Sequence, residues 1–279
     1  MIQCQPPRRR SSSGLPSALD HIEAIARKHR RKDRQTAVFL DYDGTLTPIV
    51  DRPEQADLSP RMRATLATLA KRCIVAIVSG RGLAEVRAKV GLDGLYYAGS
   101  HGFEIDGPGN RPLRSEKGTE FLPVLDRAEA RLRQRLADIE GVLVERKKFS
   151  IAVHYRRVSA DRKETVERIV DEVYDRHKAL RKMHGKKVFE LQPDVEWDKG
   201  RAVRWLMAQL GLDDHGAGAI YIGDDVTDED AFRVLQGCGT GIVVHGGTVH
   251  STYAAYGLES PRAVQRFLDS LSAAMHGSV

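Results

Sequence analysis

Two short stretches carry the carboxylates that could do chemistry together: Asp41-Tyr42-Asp43-Gly44-Thr45 and Gly223-Asp224-Asp225-Val226-Thr227-Asp228. Between them lie Ser79-Gly80-Arg81 and a lysine, Lys199. Carboxylates gathered at one place repel and raise each other's pKa unless a cation is present. Magnesium is the natural occupant, because it takes hard oxygen ligands, keeps several waters and favours one or two carboxylates plus a phosphate. Asp41 could then attack phosphorus to form an aspartyl phosphate. Asp43 could protonate a poor alkoxide leaving group and later accept a proton from water. Ser79 and the Gly80 N–H could hold phosphoryl oxygens, and Lys199 could supply positive charge in the transition state. With Asp41 as the first place, Gly44 falls at the fourth rather than the sixth, which argues against an EF-hand calcium loop.

The elements around these residues read as strand ends. Ala37-Val38-Phe39-Leu40 is a short apolar run that stops at Asp41, and Ile74 to Val78 stops at Ser79. Such runs are the mark of buried parallel strands. A helix is predicted over 60–71 with Ser59 as N-cap and Pro60 at its first position. Another follows to about Val90, then a strand near 96–98. The order β-α-β-α-β implies right-handed crossovers and a parallel sheet. From Lys199 the rhythm resumes: helix 199–210, strand 219–222, helix 229–235, strand 240–244. The predicted fold class is α/β, a doubly wound Rossmann-like parallel sheet whose ligands bind beyond the carboxyl ends of the strands.

The middle breaks that rhythm. A long helical pattern over 120–139, alternating strands at 142–146 and 150–157, a helix over 161–177 and a strand at 187–191 read as an inserted α+β cap. The expected domains are a disordered basic arm, 1–17, a core of 18–107 with 194–279, and a cap of 108–193. Two crossings between core and cap suggest hinge closure that excludes water.

With 41% hydrophobic and 29% charged residues in 279, the composition is that of a water-soluble globular chain. No apolar run is long enough for a membrane span and no secretory h-region opens the chain, so a cytoplasmic setting is expected. Cys4, Cys73 and Cys238 are far apart, without disulfide or zinc spacing. The net charge of +6 concentrates in 111–193, where 21 Lys and Arg face 14 Asp and Glu. That suits a small anionic substrate as well as a nucleic acid. The segment lacks the aromatic interleaving of a base-stacking surface, so no nucleic-acid partner, no membrane partner and a monomer are expected.

The core motifs resemble those of the haloacid dehalogenase-type phosphatase superfamily: Asp-x-Asp-x-Thr, Ser, Lys and Gly-Asp-Asp in that order. The resemblance implies that Asp41, the carbonyl of Asp43 and Asp224 bind magnesium, with Asp225 and Asp228 in support. Asp at position 43 is the phosphatase or mutase version, whereas ATP-driven pumps resemble it with Thr there. A narrower resemblance, to trehalose-6-phosphate phosphatases, runs from Phe39 to about Leu235. It is carried by Gly99-Ser100-His101-Gly102, Val153-His154-Tyr155-Arg156, Phe189-Glu190-Leu191-Gln192-Pro193, Trp197-Asp198-Lys199-Gly200 and Tyr221 through Asp230. It implies a sugar-binding set of Arg146, Lys148, Ser150, His154 and Glu190 from the cap. Hydrolysis of another sugar phosphate, or a non-enzymatic role on the same fold, is the competing expectation.

Overall fold

The computed structural model describes residues 8–30, 35–109, 113–185, 187–212, 218–247 and 249–275. Its contacts divide the chain into two compact units, Met1–Ser115 with Trp197–Val279, and Glu116–Glu196. The sequence placed these junctions at 107/108 and 193/194. Cys4, within residues 1–7, lies outside the described residues.

The first unit begins with β1 (Arg10–Ser11), α1 (Ile22–His29), β2 (Ala37–Leu40), α2 (Pro60–Leu69), β3 (Ile74–Val78), α3 (Leu83–Val90), β4 (Tyr96–Gly99), β5 (Glu104–Asp106) and β6 (Arg114–Glu116), whose last residue, Glu116, opens the second unit. The second holds α4 (Leu122–Leu136), β7 (Leu143–Lys147), β8 (Ser150–His154), α5 (Lys163–Arg176), β9 (Leu180–Gly185) and β10 (Val188–Pro193). The chain then completes the first with α6 (Lys199–Gln209), β11 (Ala219–Gly223), α7 (Glu229–Leu235), β12 (Thr240–Val244), β13 (Ser251–Thr252), β14 (Tyr256–Leu258) and α8 (Pro261–Ala274).

The main sheet has the order β14-β12-β11-β2-β3-β4-β5-β6, parallel from β14 to β4 and antiparallel between β4 and β5. Every residue of β2, β3, β11 and β12 is buried, as a sheet covered on both faces requires. Alternation sorts their side chains into two cores. Val38, Leu40, Val75 and Ile77 pack with Leu66 of α2 and Phe267 of α8, while Phe39, Ala76 and Tyr221 pack with Val203 of α6 and Phe232 of α7. Caps set the helix starts: the Ser59 hydroxyl accepts from Met62 N–H at 3.1 Å and the Asp198 carboxylate from Arg201 N–H at 2.7 Å.

The expected disordered arm needs correcting over residues 8–17. Arg10–Ser11 pairs antiparallel with Ser251–Thr252, Arg9 lies over the Tyr253 ring, and Ser17 bridges Gly257. Its Arg and Ser residues gain partners far along the chain, which local composition does not reveal.

The second unit is a four-stranded antiparallel sheet, β7-β8-β10-β9, with α4 and α5 on one face. Val144, Ile151, Val153, Phe189 and Leu191 face the helices, so Glu145, Lys147, Ser150, His154 and Glu190 alternate onto the other face. Among the described residues no helix is long and apolar enough to cross a membrane.

Candidate active site

The ends of β2 and β11 meet because Asp41 N–H donates to the Ile222 carbonyl at 2.9 Å. Beyond that contact, Lys199 lies buried as the first residue of α6. Its ammonium donates to Asp41 Oδ1 and to Asp228 Oδ1, each at 2.7 Å. The three side chains are only 3%, 6% and 0% exposed, so this is a desolvated charge cluster rather than a surface pair. Burial works against the ammonium, but Asp228 and Asp41 outweigh it and hold the Lys199 pKa above its ordinary value. Burial pushes the Asp41 carboxyl well up; Lys199 pulls it down, and Asp228 and Asp224 add to the rise. Two carboxylates thus share one ammonium with a third, Asp224, close by, a crowding that a further cation would relieve.

Asp228 is the organiser of the turn after β11. Its Oδ1 also accepts from the Tyr221 hydroxyl at 2.6 Å, and its Oδ2 accepts from the N–H groups of Asp224 at 3.0 Å and Asp225 at 2.9 Å. Asp225 Oδ1 accepts from Val226 N–H at 2.7 Å, and the Asp225 and Asp228 side chains each accept from the other's backbone N–H, a reciprocal capping box. Both residues are therefore committed to shaping the turn that presents Asp224.

Asp41, Asp224 and Asp228 each place a carboxylate oxygen within 4.8 Å of one another, an arrangement that could hold a metal ion. Gly44 has φ +82°, and a Cβ there would collide with the Asp224 carboxylate. Only glycine allows this approach, which sets the Asp43–Gly44 peptide beside Asp224. An all-oxygen set with a nearby backbone carbonyl fits a hard divalent cation. Because Asp228 already accepts four hydrogen bonds, the fit favours Asp41, Asp224 and the Asp43 carbonyl as ligands, with Asp228 behind them.

Asp43 turns to a residue the sequence reading left without a role. Arg81 grips its carboxylate with both arms, Nε to Oδ2 and Nη2 to Oδ1, each at 2.7 Å. Arg81 is also held by the Pro53 carbonyl at 2.8 Å, by Glu85 and by the Tyr42 ring at 5.4 Å. A signal was present: an arginine directly after Ser-Gly at a strand end, in a site otherwise rich in carboxylates. Ser79 directly follows β3, and its hydroxyl accepts from Arg81 N–H at 3.1 Å.

In the second unit, the Ser150 hydroxyl donates to Glu190 at 2.5 Å, and His154 Nε2 lies 2.7 Å from Glu145. Lys147 stands 3.6 Å from Glu190 on the same face. It was missed, although alternation from Ser150 would have found it. Lys148 sits in the turn, 3.1 Å from Glu116. Arg146 corrects the expectation. The pleat sends it to the helix side, where it meets Asp126 at 3.0 Å and Glu129 at 3.3 Å and donates to the Lys147 and Lys148 carbonyls. It pins the hairpin and does not join the polar face.

Comparison with known proteins adds an independent line. The trehalose-phosphatase family pattern matches residues 39–261. The chain is 44% identical over 269 residues to a trehalose-phosphate phosphatase of Mycobacterium tuberculosis, spanning 94% of this chain and 67% of that protein. It is 42% identical over 266 residues to a probable trehalose-phosphate phosphatase D of Arabidopsis thaliana, spanning 92% and 72%. A solved trehalose-6-phosphate phosphatase related protein superimposes with a TM-score of 0.74 at 27% identity, covering 85% of this chain and 97% of that one. With the family pattern spanning the strand-end motifs of the core and the polar sheet of the second unit, the chain belongs to the trehalose-phosphatase family.

Proposed function

We propose that this chain is a magnesium-dependent phosphatase that hydrolyses trehalose 6-phosphate to trehalose and inorganic phosphate. The observation that carries the reading is the buried Lys199 ammonium, which fixes Asp41 Oδ1 beside Asp224 and Asp228 at the strand ends. With Oδ1 on the ammonium, Asp41 Oδ2 is the oxygen assigned the attack on phosphorus. Its bond to phosphorus forms as the bond from phosphorus to the sugar oxygen breaks, and Asp43 gives that oxygen a proton. Water then attacks the aspartyl phosphate, passes a proton to Asp43 and frees Asp41. The Ser79 hydroxyl, the Gly80 N–H and Lys199 hold the phosphoryl oxygens. Magnesium, bound by Asp41, the Asp43 carbonyl and Asp224, would neutralise the carboxylates and the phosphoryl group.

In this structure Arg81 occupies both carboxylate oxygens of Asp43. Delivery of a proton to the leaving oxygen requires the side chain to turn away, and Arg81 then keeps Glu85 and the Pro53 carbonyl as partners. The polar face of the second unit, with Ser150, His154, Glu190 and Lys147, is assigned the sugar hydroxyls, and Lys148 in the adjoining turn a supporting part. The enzyme is taken to act as a cytoplasmic monomer.

A phosphate-release assay across sugar phosphates, with and without magnesium, tests the reading. The expected result is magnesium-dependent release with clear preference for trehalose 6-phosphate. Equal rates on simple hexose phosphates would instead favour a general sugar phosphatase, and no release from any would remove the enzymatic reading.

A further inference from the structure

Between β4 and β5 the chain passes through Ser100, His101 and Gly102 with φ of +50°, +57° and +90°. Glycine enters the left-handed region freely, whereas serine and histidine do so rarely and only where their surroundings dictate it. Those surroundings are the loop after β3. Ser100 N–H donates to the Arg81 carbonyl at 2.6 Å, and His101 N–H donates to the Ser79 carbonyl at 2.9 Å. The Ser100 hydroxyl is tied down by Glu104 Oε2 at 3.2 Å. Both carbonyls flanking Gly80 are thereby committed to the turn.

A trans peptide points its C=O and N–H in opposite directions. With the Ser79 carbonyl on His101 N–H, the Gly80 N–H is directed away from the turn. On the turn's own side, Gly80 faces the His101 ring: a Cβ on Gly80 would lie 2.9 Å from His101 Cε1. The other end of the turn meets α6. A Cβ on Gly102 would collide with the Cβ of Ala202, in the first turn of the helix that opens with Lys199. One left-handed turn therefore touches both the Ser79-Gly80 loop and the helix that aims Lys199.

We infer that the Ser100–Gly102 turn is a positioning device for the phosphoryl-binding groups, with His101 as its positioning residue: its amide orients the Ser79–Gly80 peptide and its ring braces Gly80. The inference rests on the phosphatase reading of Ser79, Gly80 and Lys199. It explains why the strain sits where it does, since a relaxed turn would leave the Gly80 amide without a fixed direction.

The test uses full-length protein with magnesium and two variants that accept a left-handed backbone, His101→Gly and His101→Asn. The ring is lost in both while the backbone conformation is kept. Thermal unfolding is expected to be unchanged or slightly raised in His101→Gly. For both, kcat on trehalose 6-phosphate is expected to fall about 10- to 100-fold, the loss typical of slight misplacement at a reacting centre. Vanadate binding, measured by calorimetry, is expected to weaken in parallel. Wild-type kcat and vanadate affinity in the variants would overturn the inference. So would losses that merely track lowered thermal stability in both. Because vanadate binding needs no turnover, wild-type protein that binds vanadate but does not hydrolyse trehalose 6-phosphate would sink the functional reading while the variants still decide the role of His101.

Discussion

Lys199 carries the site's balance of charge at the scale of single residues. Its ammonium is the near partner of two buried carboxylates, so replacing it by methionine leaves Asp41 and Asp228 together without compensation. Such losses cost about 3–5 kcal/mol. The Lys199→Met protein is expected to unfold at markedly lower urea without magnesium and to recover more stability than wild type when magnesium is added. A loss below about 1 kcal/mol, or no larger response to the metal, would contradict this assignment. The motif residues were legible in the sequence because their chemistry is local: Asp41, Asp43 and the Asp224 to Asp228 run sit directly at the ends of apolar strands. Arg81 was not, because its partner Asp43 is 38 positions away and only the side chains' reach joins them.

Among the elements, the hairpin of β7 and β8 separates residues that hold the second unit together from residues that could meet a substrate. Arg146 ties the hairpin to α4, so Arg146→Met is expected to lower urea stability by about 1–2 kcal/mol, discounted for its exposed partner Asp126, with KM nearly unchanged. Glu190→Gln is expected to do the reverse, raising KM several-fold while stability holds. Equal effects of the two on KM would erase the distinction between the faces. Strand legibility followed burial. Ala37–Leu40 and Ile74–Val78 announce themselves as apolar runs because both faces of the sheet are covered. Glu104–Asp106, Arg114–Glu116 and Leu180–Gly185 carry charges in short or edge strands, so no periodic apolar signal marks them.

Across the whole molecule, burial of ionisable groups in the main core sets a limit on alkaline stability. Burial pushes the Cys73 thiol from 9.0 to about 12, and the Tyr42 and Tyr97 hydroxyls from 10.0 to about 12. The folded chain thus keeps protons that the unfolded chain releases. The contribution of these groups is fully present below pH 9 and is lost as pH rises toward 12. Urea titrations across that range should show falling midpoints, with a shallower decline in Tyr97→Phe; a flat profile would contradict the burial. The molecule's division into two units was legible from the break in the β-α rhythm. The attachment of residues 8–17 was not, because it depends on Ser251–Thr252 at the other end of the chain.

The most direct test of the central claim, that Asp41 is the nucleophile, is rapid acid quench of the magnesium-loaded protein during turnover of trehalose 6-phosphate, followed by peptide mass spectrometry. Asp43→Asn should slow both formation and hydrolysis of the intermediate, so the quench is made on the protein with Asp43 intact. The expected result is one phosphoryl group on Asp41, labile to base and absent from Asp41→Asn, which should also be inactive. Turnover by Asp41→Asn at the wild-type rate, or a phosphoryl group trapped on another residue, would contradict the account.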